Sequence, residues 1–190
     1  MSAGAWTLLL LVLAIALAGV WLYNRLVRLR NTVAEAWAGI DVQLQRRHEL
    51  VPNLVATVRG YTEYEFEVLN ELTRRRNPNV DGMQALTGQE TELSRGISGL
   101  FALAEDYPDL KASDTFRQLH DSLVEVENQL QYARRYYNGA VRDLNNAVES
   151  FPGNLVARAF SFESAEFFEI ELASQRATPR VALDREPAQP

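Results

Sequence analysis

From Ala5 to Tyr23 the chain carries no charged side chain. Leu8 to Ala18 is apolar without a break, and Gly19, Val20, Trp21, Leu22 and Tyr23 extend the run. A helix of about 20 residues spans the hydrocarbon layer of a bilayer. In lipid each backbone N–H and C=O must bond within the segment, so such a run folds as a helix. A core helix of a soluble domain would show a polar face, and this stretch has none. Trp6 lies at one edge, and Trp21 and Tyr23 at the other, where amphipathic rings suit the two lipid–water interfaces. The first charges, Arg25, Arg28 and Arg30, follow at once. Positive residues flanking a span favour the cytoplasmic side, so the pattern predicts Met1 outside and the rest of the chain in the cytoplasm. A cleaved signal peptide is the rival reading, since Ala16-Leu17-Ala18 resembles a cleavage site. Against it, no basic residue precedes the run, and Val20-Trp21-Leu22 stays apolar past the candidate cut.

Beyond the run the pattern becomes helical and amphipathic. Leu26, Leu29, Val33, Trp37, Ile40, Leu44, Val51, Leu54, Val58, Tyr61, Val68 and Leu72 keep spacings that are sums of three and four. That is the seam of a helix, close to a coiled-coil period. Pro52 interrupts it, and proline kinks or ends helices. Because the seam keeps phase across Pro52, one long bent helix is expected, closed by Arg74-Arg75-Arg76 and stopped at Asn77-Pro78-Asn79; a tight break at Pro52 is the alternative. A second helix is expected from about Thr87 to Ala104, then a loop over Glu105–Ser113. Ser113 or Asp114 can cap a long third helix that runs to Phe151-Pro152-Gly153. A shorter apolar segment follows, and from about Ser174 the tail turns polar.

No strand pattern competes. The expected fold is all-α: an N-terminal transmembrane helix followed by an antiparallel bundle of three to four long helices. The expected divisions are a short tail over 1–4, the span over 5–23, the bundle over 24–172 and a disordered tail over 173–190.

The net charge of −6 repels nucleic acid. With no cysteine there are no disulfides, thiolate metal sites or Cys nucleophiles. The histidines are His48 and His120. Neither stands in a Glu-x-x-His pair: the residues three before are Gln45 and Arg117. No Gly-x-Ser-x-Gly or phosphate-cradling glycine loop occurs. No metal, cofactor or catalytic residue is therefore assigned.

Three groups are candidate sites. Arg25, Arg28 and Arg30 set topology and can attract anionic head groups, alongside the interfacial rings Trp6, Trp21 and Tyr23. Asp41, Arg46, Arg47 and His48 crowd polar groups onto the seam. They read either as a patch for a partner or as an ion-pair network that fixes helix register, with Arg134, Arg135, Tyr137 and Asn138 of the long third helix on the other side. Phe151, Phe160, Phe162, Phe167 and Phe168 read either as a cap closing the bundle or as an exposed apolar patch.

Particular motifs resemble the LemA family of bacterial membrane proteins. They run from Tyr23-Asn24-Arg25-Leu26-Val27 through Trp37, Ile40-Asp41-Val42-Gln43-Leu44 and Arg46-Arg47 to Leu50-Val51-Pro52-Asn53-Leu54-Val55 and Gly60-Tyr61. Tyr136-Tyr137-Asn138, Leu144-Asn145, Phe151-Pro152 with Asn154, then Phe160, Phe162, Phe167-Phe168-Glu169 and Pro179-Arg180-Val181 complete the set. Arg74-Arg75-Arg76 is more basic than the resemblance leads one to expect. The resemblance implies an N-terminal span, a helical bundle and an outside-to-inside orientation at the bacterial inner membrane. It implies no reaction. One branch is associated with building magnetosome membranes, which points to membrane organisation for that branch. The leading expectation is a membrane-tethered scaffold or adaptor for an unidentified protein partner. The alternatives are a lipid-binding or membrane-shaping protein and, third, a hydrolase using His48 or His120.

Overall fold

The computed structural model describes residues 3–61 and 83–168. Five helices and no strand occur among them: α1 Ala3–Arg59, α2 Met83–Ala104, α3 Pro108–Ala112, α4 Asp114–Glu149 and α5 Gly153–Ala159.

Helix α1 is one continuous rod of 57 residues that includes the apolar run and the first half of the seam. Within the run no other described residue covers it: Leu8, Ile15 and Val20 are all more than half exposed. From Leu26 onward the seam is buried, through Ala36, Ile40, Leu44, Val51, Leu54 and Val58. Pro52 lies inside the helix with its ring facing out, so the helix continues past it and does not break. The helix ends at Arg59, well before Arg74. Gly60 and Tyr61 turn back through bonds from their N–H groups to the Thr57 and Val58 carbonyls. The expected continuation through Val68 and Leu72, and the Arg74-Arg75-Arg76 terminus, lie outside the described residues.

Helices α1 and α4 form the main antiparallel pair. Two helices alone cannot cover both seams, so a third element is needed along their whole length. In the half away from the apolar run that element is α2. Leu93, Ile97 and Leu100 close on Val51, Leu54, Val58 and Leu123, and α3 adds Leu110. Farther down, Ala36, Ile40 and Leu44 meet Leu130, Tyr137 and Val141, and the third side there is closed by Phe168 together with Met83 and Leu86 from the start of α2. Nearest the apolar run, Leu26 packs with Ala157 and Phe162. Burying each such Leu, Val or Phe contributes about 1.5–3 kcal/mol.

Two local expectations need correction. The loop over 105–113 contains α3, a single short turn started by Pro108, a residue suited to a first helical position. Ser113 occupies the cap position of α4, but its side chain makes no capping bond.

Phe151-Pro152 is a cis peptide, after which α5 folds back against α1 and α4. This corner requires glycine at 153. A Cβ there would sit 2.2 Å from the Ala147 carbonyl oxygen, an impossible approach between two backbones. Gly153→Ala should therefore open the corner and cost about 1–3 kcal/mol, the usual penalty of overpacking. Chemical denaturation of the two proteins checks this, and equal stability would rule out the close approach. Helix α5 closes with Ser161 at a φ of 55° and with the Phe162 N–H on the Ala157 carbonyl at 2.9 Å, a Schellman-type stop.

Candidate functional site

The polar interruption of the α1 seam is a buried charge cluster. Arg47 falls on the same face as Ile40, Leu44 and Val51 and is 4% exposed. Its Nη1 lies 3.5 Å from Glu90 Oε2, and its Nη2 donates to Ser94 Oγ at 2.9 Å. Nη2 also stands 3.1 Å from Glu127 Oε2 on α4, a close ion pair. Glu90, on α2, is 1% exposed, and its other oxygen meets His48 Nε2 at 2.9 Å. A carboxylate only accepts, so His48 carries its hydrogen on Nε2. The Ser94 hydroxyl donates in turn to the Glu90 carbonyl at 2.8 Å, and Gln131 donates to Glu127 Oε1 at 3.0 Å. One arginine thus ties α1 to both α2 and α4. Arg46, one residue before it, points out and, among the described residues, makes a 3.7 Å exposed pair with Glu125.

The partners differ from those expected in the sequence. Arg47 and His48 engage Glu90, Ser94 and Glu127, not Asn138 or Arg135. Asp41 faces solvent and pairs with no cation among the described residues. Arg134 stands near the cluster, one heptad along α4 from Glu127. Burial pushes its guanidinium below the ordinary value, and the Glu127 charge opposes that shift. It lies over the Phe168 ring at 5.3 Å. A cleft of about 330 Å³ opens here, lined by Arg47, Ser94, Phe101, Leu123, Glu127 and Arg134. Its two cations face two carboxylates, Glu127 in its wall and Glu90 just behind Arg47, so the charges balance.

The second constellation is a strap. Residues 162–168 run along α4 without helical structure, held by two asparagines seven residues apart on one helix face. Asn145 Nδ2 donates to the Ala165 carbonyl at 2.9 Å, and the Ala165 N–H donates back to Asn145 Oδ1 at 2.8 Å. Asn138 repeats the pair with Phe168, at 3.1 and 2.9 Å. Each carboxamide therefore stands in for a neighbouring strand. Tyr137 adds a bond from its hydroxyl to the Glu166 carbonyl at 2.9 Å; burial, and then the Glu166 charge, push its phenol up. The strap delivers Phe168, 1% exposed, against Trp37 with ring centroids 6.0 Å apart, and Trp37 also meets Tyr137 at 5.5 Å.

The aromatic group divides. Phe162 and Phe168 are buried, whereas Phe151, Phe160 and Phe167 are exposed. Phe160 and Phe162 both meet Tyr23 edge-on, at 4.8 and 5.7 Å. Arg25 lies over Trp21 and Arg30 over Phe162, at 5.7 and 5.3 Å; Arg28 is exposed, as is Trp6.

Neither histidine is paired with a serine among the described residues. His120 meets Asp121 at 3.3 Å and packs on the Phe101 ring. No group of three metal-ligating side chains gathers there either.

These features define a class: a membrane-associated all-α protein whose apolar N-terminal helix continues as the spine of a bundle pinned by buried charge and by an asparagine-held strap. The chain belongs to the LemA family, whose model matches residues 36–183. It is 24% identical to Magnetosome protein MamQ 1 and to MamQ 2 of Paramagnetospirillum magneticum, each match covering 77% of this chain and 64% of the relative. It is 26% identical to Protein LemA of Metamycoplasma hominis, over 77% and 68% of the two chains. The chain thus spans about 64% of the length of the MamQ relatives it matches.

Proposed function

We propose that this chain is a membrane-tethered scaffold that holds a stiff helical bundle against the cytoplasmic face of the bacterial inner membrane for a protein partner to dock on. The observation that carries the reading is the continuity of α1. A helix unbroken from Ala3 to Arg59 transmits the position of the membrane directly to the bundle, which a flexible linker would not. The charge cluster reads as a register pin, since its groups are engaged with one another. The partner-facing surface lies elsewhere on α4. Tyr132 and Tyr136, one helical turn apart, are 62% and 57% exposed, and the Arg135 guanidinium lies over the Tyr132 ring at 4.6 Å. Tyrosine and arginine carry a large share of binding energy at protein interfaces. No hydrolytic role is proposed.

A photo-crosslinking amino acid placed at Tyr136 in intact cells should give a discrete adduct. Tyr132→Ala should diminish it, and the same probe at Arg117 should give none. A smeared or absent adduct at Tyr136, or the same adduct at Arg117, would sink the docking reading. Orientation follows from Arg25, Arg28 and Arg30: a protease added to intact cells should leave the bundle uncut and digest it after lysis. Digestion before lysis would reverse the topology.

A further inference from the structure

Where α1 leaves its apolar run, the α4–α5 corner presents three large apolar side chains that no other described residue covers. Phe151 is 80% exposed, Phe160 61% and Leu155 58%. Phe160 and Phe151 stand beside the end of the run, and Leu155 lies between them in sequence, on α5. Phe160 meets the Tyr23 ring at 4.8 Å. Phe151 lines, together with Leu22, Arg25 and Leu26, a recess of about 440 Å³ between α1 and the corner. Helix α1 is continuous through this level, so a depth reached by Tyr23 in the bilayer is imposed on Phe160 and Phe151 as well. Arg25 and Asp143 line the same recess, Arg158 lies on α5 and Arg28 follows on α1, and the three arginines are exposed. Their long stems let the charged ends reach water and head groups while the rings beside them sit deeper.

We propose that the α4–α5 corner is a second membrane-contacting element, with Phe151, Leu155 and Phe160 embedded in the interface of the bilayer that α1 crosses. Short amphipathic segments with Phe and Leu on one side and basic residues beside them settle at that depth, between head groups and acyl chains. The occupant of the patch is therefore lipid. Two attachments, the span and the corner, fix the tilt and rotation of the bundle over the membrane. One attachment would leave rotation about the span free. Gly153 and the Schellman-type stop at Ser161 thus shape a foot, beyond any docking of a protein partner higher on α4. The proposal rests on α1 being the span.

The chain has no cysteine, so single spin labels can be placed cleanly. Full-length protein carrying Phe151→Cys, Leu155→Cys or Phe160→Cys is labelled in vesicles of phosphatidylethanolamine and phosphatidylglycerol. Leu13→Cys and Tyr132→Cys, both at exposed positions, serve as references for lipid and water. Collisions with oxygen, which concentrates in the bilayer, are compared with collisions with a water-soluble nickel chelate. The expected result is oxygen-dominated relaxation at 13, 151, 155 and 160 and nickel-dominated relaxation at 132. Nickel dominance at 151, 155 and 160, with 13 still in lipid, overturns the foot and leaves the span standing. Nickel dominance at 13 removes the span, and the foot with it.

Discussion

Arg47→Met should destabilise the bundle by about 3–5 kcal/mol, the cost of leaving a buried charge without its partner. The side chain is enclosed and lies between Glu90 and Glu127. Methionine fills much of its volume and removes its charge, leaving the 1%-exposed Glu90 carboxylate facing only His48 and Ser94 without a donor. Two controls separate charge burial from simple loss of packing. Arg46→Met removes an exposed pair and should cost under about 1 kcal/mol. The double change Arg47→Met with Glu90→Met removes both charges together. Replacing a buried ion pair by apolar side chains of similar size is often neutral, so the double variant should be more stable than Arg47→Met alone. Denaturant unfolding in detergent, followed by far-ultraviolet circular dichroism, reads all three. A double variant less stable than the single would show that the cluster adds stability outright, and the register-pin account would fall.

Phe168→Ala should cost about 3–5 kcal/mol, as for other buried aromatic truncations. Phe168 is the most deeply buried part of the third layer over this stretch of α1 and α4, packed among Ile40, Leu130, Tyr137 and Val141, with Met83 and Leu86 of α2 beside them. Its loss also removes the surface under Arg134. The strap that brings it there is held through main-chain groups, so Asn138→Ala should act locally. It deprives the Phe168 N–H and C=O of partners together, at about 1–3 kcal/mol for buried polar groups left unpaired. Hydrogen exchange distinguishes the two. Asn138→Ala should deprotect the Phe168 amide while the Ala165 amide stays slow, because Asn145 still holds it. Unchanged exchange at Phe168 would mean that the carboxamide does not hold the strap.

The parts legible in the sequence are those where one periodicity meets one solvent. The apolar run has no polar face because lipid surrounds it on every side. The seam of α1 could be followed across Pro52 because the ring points outward and the buried positions keep phase. The end of α1 at Arg59 was not legible, since Tyr61, Val68 and Leu72 continue the spacing beyond it. The interruption at Arg47 was visible, but its partners were not. Which carboxylate it meets depends on the register of α2. Glu90 stands three and seven residues before Leu93 and Ile97, and that placement on the buried stripe was the signal. The strap defeated periodicity altogether, because its order comes from α4 side chains and not from its own pattern. Asn138 and Asn145, seven apart on one face, were the mark of it. The aromatic group divided because Phe162 and Phe168 ride the strap inward, whereas Phe151 and Phe160 lie at the corner beside Tyr23.

The central claim is that membrane span and bundle spine are one stiff rod, and a distance between spin labels at Gly19→Cys and Val42→Cys tests it most directly. Both lie in α1, with nothing within 4 Å of the Cβ added at Gly19 and Val42 60% exposed, so neither label disturbs packing. A rise of about 1.5 Å per residue places the two backbones roughly 35 Å apart. In full-length protein in lipid nanodiscs, pulsed dipolar spectroscopy should return one narrow distribution near that separation. A broad distribution, or one centred well below it, would place a hinge between Tyr23 and the bundle and contradict the account.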